Sequence, residues 1–393
     1  LNNRLWPLAI ALAAVPFVIV LQNRTLAPIT LLAFGGVILA GWRAGWRPSP
    51  PPLLVWPAVA LLGWAMVTIL WAPEAGRVAD SVLRLGATLA LAVLAADALR
   101  GVPLTPLIPR AAAIGLSIGI AAALFDDLSG HMLRAAVRGI REAPLTLSFG
   151  LKNAASVVAL LLPLAVFAPV LPRWSRIALG VSGAVVALLL PGESAKLAVL
   201  AGLAVGMAAT VAPRATRVSL AGTVAVLVLA LPWVLGAALP RDVSALPFSA
   251  AHRLLIWDFT AERIADRPVL GWGMDSSRAI PGGTERTSQE TRTAFGLTAH
   301  DAHHWFIHQQ MLPLHPHNMP LQIWLELGAV GAALMALLLA LVALACRNPA
   351  ACGAFAAALV ISLLSYGMWQ YWWVAGLMLA AVSAPLVGGR KPA

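Results

Sequence analysis

Apolar runs long enough to cross a bilayer recur from one end of this chain to the other, each closed by Pro, Gly or Arg. Twelve can be marked, at approximately 5–21, 28–42, 52–71, 81–99, 108–125, 153–171, 176–191, 195–212, 218–239, 320–345, 350–367 and 371–387. A chain so divided has few folds open to it, because every backbone N–H and C=O in hydrocarbon must be satisfied internally. The expectation is an all-α polytopic membrane protein of about 12 transmembrane helices. Composition agrees: of the 393 residues 60% are hydrophobic and only 11% charged, against about 25% charged in ordinary soluble domains. Arg4 ahead of the first run looks like the start of a signal peptide, but no small-residue cleavage pattern closes it, so it reads as the first spanning helix.

The formal charge of +11 raises the question of nucleic acid. The basic residues, however, fall singly or in spaced pairs between apolar runs and form no Lys/Arg tract, so nucleic acid is excluded as a partner. They follow the loops of a membrane protein instead. Arg43 and Arg47, Arg100 and Arg110, Arg173 and Arg176, Arg214 and Arg217, Arg347, and Arg390 with Lys391 all follow even-numbered helices. By the positive-inside rule both termini are cytoplasmic. Cys346 and Cys352 flank one short cytoplasmic connection and read as inert thiols, with neither a disulfide nor a zinc site implied.

The same count puts the long polar stretch from Arg241 to Leu314 after the ninth helix, on the outer side. This divides the chain into helices 1–9 over residues 1–240, an outer loop carrying site elements over 241–316, and helices 10–12 over 317–393. A smaller outer segment, Asp126 to Lys152, contains a run from His131 to Arg141 that mixes apolar and basic residues at helical spacing. It is either an interfacial helix or a solvated basic loop. Arg134, Arg138 and Arg141 run against the positive-inside pattern, which points to work with anionic lipid heads or phosphates.

Three constellations could carry chemistry. In the first, His315–Pro316–His317–Asn318 leads into an apolar run containing Gly328 and Gly331. Asn318 suits an N-cap and Pro320 a first turn, so His317 stands at the mouth of a helix whose N-terminus favours an anion such as a diphosphate. A neutral imidazole there can take a proton from a hydroxyl; the alternative is a histidine that only caps or anchors the interface. His315 and Asn318, on either side, are candidate substrate contacts. Gly328 and Gly331 read most simply as small residues that let helices approach. The second constellation is Pro191–Lys196, where Lys196 sits near membrane depth with Glu193 as a purely structural partner three residues away. In the third, the spacing of Leu254, Trp257, Ala261 and Ile264 predicts an amphipathic helix that ends before Pro268. Arg253, near its start, is forked to suit two phosphate oxygens, or else pairs with Asp258 or Glu262. Histidines 300, 303, 304 and 308 include i,i+4 pairs, with Asp301 nearby, but there is neither HExxH nor a cysteine companion. Interfacial histidines are the simpler account, and no metal or other cofactor is expected.

His317–Asn318, nine further residues and then Gly328-x-x-Gly331 resembles the signature of bacterial O-antigen ligases in the ligase/polymerase superfamily. Arg253 with Trp257, followed by Pro268, Gly271 and Gly273, is similar to the start of that family's large periplasmic loop. The turn Gly192–Lys196 resembles the place where many members carry Ser-Arg, with Lys196 in this chain where they have arginine. The resemblance implies a C-type glycosyltransferase fold in the bacterial inner membrane, with the site at the periplasmic face. It also implies transfer of a glycan from an undecaprenyl-diphosphate donor to a hydroxyl of the lipid A core, without nucleotide sugar or obligatory metal. On that template His317 is the base, and Arg253 and Lys196 hold the departing diphosphate. The alternatives are an O-antigen or exopolysaccharide polymerase, which uses the same donor, and, from another class, a transporter of lipid-linked sugars. The latter would show paired, interrupted helices in two related halves, and no such symmetry is seen in the sequence.

Overall fold

A computed structural model of the chain describes residues 3–141 and 145–388. Arg390 and Lys391, used above for orientation, lie outside the described residues. Among these residues the architecture is all-helical, with no β-strand and a single isolated antiparallel bridge between Arg286 and Gln310. In chain order the helices are α1 Trp6–Leu21, α2 Leu26–Arg43, α3 Pro52–Val67, α4 Ala75–Ala98, α5 Leu107–Leu128, α6 Met132–Arg138, α7 Leu151–Val166, α8 Arg173–Leu189, α9 Glu193–Val211, α10 Pro213–Ala238, α11 Phe248–Asp266, α12 Gln289–Ala294, α13 His300–Phe306, α14 Met319–Ala345, α15 Pro349–Leu364 and α16 Tyr371–Ser383.

Each marked apolar run falls on one of these helices. Among the described residues eight stretches are long and apolar enough to cross a membrane: 23–43, 52–70, 75–98, 107–128, 147–166, 193–211, 213–238 and 319–345. Three shorter apolar helices, at 6–21, 349–364 and 371–386, accompany them. Large apolar side chains such as Leu32, Leu70 and Val211 are more than three-quarters exposed, which suits a surface facing lipid rather than water. This is the build of a multi-pass membrane protein.

Helices pack in two main groups. One buries residues of α1, α2, α5, α7, α9, α15 and α16 together; the other gathers α3, α10, α11 and α14. A small third cluster, around Leu255, Phe295 and Phe306, holds the long connecting segment onto α11. The segment expected as an outer loop therefore has its own helices and core. The basic run after Asp126 does form a short helix, α6, with Met132 and Val137 exposed on it.

The feature that positions everything below is a break in α14. Gly328 has φ 64° and ψ −164°, a conformation that costs little only for glycine. Helical continuity would need Leu325, Glu326 and Leu327 carbonyls to accept from residues 329, 330 and 331. They accept instead from Trp272 N–H (2.8 Å), Gly273 N–H (2.8 Å) and Trp64 Nε1–H (2.9 Å), while Ala329 N–H donates to Pro268 O (2.9 Å). The backbone freed by the break is thus re-paired with the segment after α11 and with Trp64 of α3. Contact is so close that a Cβ on Gly271 would lie 2.5 Å from the Glu326 carbonyl, and one on Gly328 would lie 2.2 Å from Val269 O. This corrects the expectation for the Gly328-x-x-Gly331 pair: Gly328 ends one helical segment and admits a loop, not a neighbouring helix. Helix-to-helix approach through small residues occurs elsewhere, where Gly115 and Gly119 of α5 meet the Leu12 and Pro16 carbonyls of α1.

Candidate functional site

His317 stands where its sequence predicts, one residue before the N-cap of α14. Asn318 Oδ1 accepts from Leu321 N–H at 3.0 Å, so the cap is formed, and Asn318 itself is buried. His317 adopts φ 56°, a left-handed conformation unusual for a residue with a side chain and one that collects at functional sites. Backbone and ring are each held here. Trp257 of α11 donates Nε1–H to the Pro316 carbonyl at 2.8 Å, and His317 Nδ1 lies 2.5 Å from the carbonyl oxygen of Ser365, at the end of α15.

A carbonyl only accepts, so Nδ1 carries the proton and Nε2 is left with its lone pair. Burial, the largest influence, together with the charges of Arg253, His252 and Lys152, lowers the imidazole to about 4 against an opposing contribution from Ser365. His317 is therefore neutral at ordinary pH. His315 stacks beside it, with ring centroids 4.2 Å apart, and its Nδ1 accepts from the His317 N–H at 3.1 Å. That leaves its proton on Nε2, which faces the Gln370 side-chain amide at 3.1 Å. Turning the Gln370 amide over would bring its Oε1, buried without a partner, onto that N–H. Burial, then His317, Arg278 and Arg253, push His315 down to about 3.

Arg253 lies on α11 and is half-buried. Neither expected structural partner takes it: Asp258 pairs with Arg241 at 3.2 Å and Glu262 with Arg263 at 3.9 Å. No ion pair among the described residues includes Arg253. Burial lowers its guanidinium from the usual value, yet arginine stays charged. Tyr366, just after α15, lies close enough for the two groups to act on each other. The Tyr366 hydroxyl is within hydrogen-bonding distance of Asn153 and Ser156 on α7.

The lysine that joins this group is Lys152, at the start of α7, whose charge weighs on His317. The turn preceding α9 packs against it, with a Cβ on Gly192 3.6 Å from the Lys152 Cα. Lys196, the lysine expected from the sequence, is taken up by Glu193 at 2.8 Å. Its neighbour Ser194 does reach the site, 2.5 Å from the Ser365 hydroxyl. The charges acting on His315 and His317 come from Arg253, Arg278, Lys152 and histidines; no carboxylate is among them.

Arg134 belongs elsewhere. It is fully buried, with Nε 2.6 Å from Asp126 Oδ2, and the rest of its guanidinium faces the Leu147 carbonyl and His131 Nδ1. As an expected anion contact it is corrected: the buried carboxylate and carbonyl have claimed its donors. Arg138 is exposed and, among the described residues, hydrogen-bonds only the Leu21 carbonyl, at 3.5 Å, and Arg141 is exposed. His304 and His308 meet edge to face with ring centroids 5.9 Å apart, but no three His, Cys, Asp or Glu among the described residues are placed to hold a metal ion. Cys346 and Cys352 are free, buried thiols. A cleft of about 370 Å³ beside Arg263 and Arg286 and another of about 390 Å³ beside Arg100 contain none of the histidine site's residues.

Lys152, Arg278, Tyr366 and Ser365 were not singled out in the sequence. Lys152 had a signal, being a lone ammonium at the head of an apolar span. A buried Glu326 inside α14 had the same one. Ser365 contributes a carbonyl, which no side-chain pattern announces.

Residues 145–336 match the family described as O-antigen ligase. A protein of Rickettsia conorii named "Putative polysaccharide ligase" is 36% identical over 146 residues, covering 34% of this chain and 32% of its own. Its counterpart in Rickettsia prowazekii is 38% identical over 133 residues, covering 32% and 29%. The matched part therefore spans about a third of the length of those relatives.

Proposed function

We propose, for this member of the O-antigen ligase family, that the chain transfers a polysaccharide from undecaprenyl diphosphate to a hydroxyl of the lipid A core at the periplasmic face of the bacterial inner membrane. The observation that carries the reading is a neutral His317 whose bare Nε2 faces away from Ser365, beside the cations Arg253, which has no ion-pair partner among the described residues, and Lys152.

In this reaction the acceptor hydroxyl attacks the anomeric carbon. Its proton passes to His317 Nε2 as the new C–O bond forms, and the bond to the diphosphate oxygen breaks. Negative charge collects on the departing diphosphate, where Arg253 and Lys152 in a poorly hydrated cleft oppose it. Lys196, on the turn that packs against Lys152, takes an outer place in this cation set. Attack opposite the leaving group inverts the anomeric centre. Donor binding also tunes the base: a diphosphate between the cations offsets the charges that depress His317, raising its affinity for the proton it is about to receive. His315 holds the His317 N–H and Asn318 caps the helix that follows, and the exposed Arg138 and Arg141 are left for anionic head groups or the lipid-linked phosphate. All twelve helices cross the membrane in this reading, with both termini cytoplasmic.

A transporter reading would draw on the break in α14. Against it, the broken segment's carbonyls are taken by Trp272, Gly273 and Trp64, so they line no open path.

The test is transfer by purified protein with undecaprenyl-diphosphate glycan and two acceptors, lipid A core and a second lipid-linked glycan, with chelator present. Product on lipid A core supports the ligase. Product only on the lipid-linked glycan makes the chain a polymerase with the same donor site.

A further inference from the structure

Glu326 is wholly buried in α14, two residues before the break. It takes no part in the chemistry above, yet it gathers donors from three elements. Asp275 N–H (2.6 Å) and Trp369 Nε1–H (2.5 Å) donate to Oε2, and Gln322 Nε2–H (3.0 Å) and the Ser277 hydroxyl donate to Oε1. The first three are N–H groups that can only donate. Gln322 then uses its own oxygen to accept from Met368 N–H at 2.7 Å.

One carboxyl group thus fixes two segments at once. The first is residues 275–278, where Asp275 is held at φ 55° and Arg278 lies close enough to weigh on His315. The second is residues 365–370. Met368 and Trp369 are tied to Gln322 and Glu326, Ser365 presents the carbonyl that holds His317 Nδ1–H, and Gln370 faces His315. Of the three non-glycine residues with positive φ among the described residues, two are Asp275 and His317. Glu326 secures the first directly and the second through residues 365–370.

We propose that Glu326 is a positioning residue: by locking residues 275–278 and 365–370 to the first half of α14, it fixes His317 in its Nδ1–H form with Nε2 free. The base role of His317 rests on the function proposed above; the orientation of its ring does not.

The chemistry dictates the informative variant. In Glu326→Gln, an NH2 on the Oε2 side would face two obligate donors, Asp275 N–H and Trp369 Nε1–H. On the Oε1 side it would force Gln322 to turn its amide, stripping Met368 of its acceptor. Either way residues 365–370 lose a tether although volume is conserved. Trp369→Phe removes one donor only and serves if the first variant does not fold.

The experiment uses full-length protein in detergent with 15N-labelled histidine, reading the Nδ1 and Nε2 shifts of His317, together with steady-state transfer. Wild-type protein should show a protonated Nδ1 and a bare Nε2. Glu326→Gln should show mixed tautomers at His317 and lose about tenfold or more in kcat, with donor KM within about twofold. Trp369→Phe should move both readouts the same way by less. A folded Glu326→Gln protein that keeps the wild-type His317 tautomer would overturn the inference. If the tautomer changes but His317→Ala still transfers glycan at the wild-type rate, the base assignment fails and the positioning role stands.

Discussion

His317 and Ser365 are 48 residues apart in sequence, and the imidazole Nδ1 of one lies 2.5 Å from the carbonyl oxygen of the other. That contact gives a histidine at a helix mouth a defined free nitrogen, the one the proposed reaction uses as its base. Replacing His317 by Ala should lower kcat by about 10²–10⁴-fold, the range of general base catalysis, with donor binding preserved. Transfer assays beside a donor-binding isotherm check both halves; wild-type turnover in the variant removes His317 from the mechanism.

The pH dependence follows from burial. With the folded value lowered to about 4, the base form is present above that pH and is lost below it, so kcat/KM should stay level through neutrality and fall only as pH drops through about 4. An ordinary histidine would place this limb near 6.5. Because a bound diphosphate raises the imidazole's proton affinity, the acid limb of kcat should lie above that of kcat/KM.

Linkage gives a second pH effect, on stability. His315 and His317 are held neutral when folded, at about 3 and about 4, and titrate near their usual value when unfolded. Below about 6.5 the unfolded chain binds more protons, so stability should decline as pH falls from there toward the folded values and recover on raising it. The apparent Tm measured from pH 7 to pH 4 should fall, less steeply in His315→Gln protein.

The two lysines should separate. Lys152 weighs on His317 whereas Lys196 is paired with Glu193, so Lys152→Ala should lower kcat/KM by about tenfold or more and Lys196→Ala by less than about threefold, given about 1–3 kcal/mol for a close charge-assisted contact and less for an outer one. Arg253→Lys should retain only part of the activity, since an ammonium lacks the guanidinium fork. Equal losses in both lysine variants would restore Lys196 to the inner site.

Arg134 is predicted to matter for folding. Arg134→Ala leaves Asp126 buried without its partner, at a cost of about 3–5 kcal/mol, while Arg138→Ala and Arg141→Ala should change stability by less than about 0.5 kcal/mol. Gly328→Ala should be similarly severe, combining an unfavourable φ with a 2.2 Å approach to Val269 O. Thermal unfolding and yield of monodisperse protein in detergent report on both.

What the sequence determined by itself was what short-range pattern encodes. Apolar runs placed the helices, because hydrocarbon leaves the backbone no other partner. Asn318 and Pro320 set the start of α14, and the spacing of Leu254 and Trp257 set α11, because caps and periodicity act over one or two turns. His317 and Arg253 were legible for the same reason, each being an ionisable group beside such a boundary. Only the tertiary structure decided what each charge would meet. Arg253 and Arg134 look alike in sequence, yet α5 brings Asp126 to Arg134, while among the described residues no carboxylate pairs with Arg253. The Glu193 partner of Lys196 was legible from spacing, but it was packing that set Lys152 where its charge weighs on His317. The tautomer of His317 and the hub at Glu326 depend on residues 275–277 and 365–369, far along the chain, and on a backbone carbonyl. Such partners are chosen by packing, and no local pattern carries them.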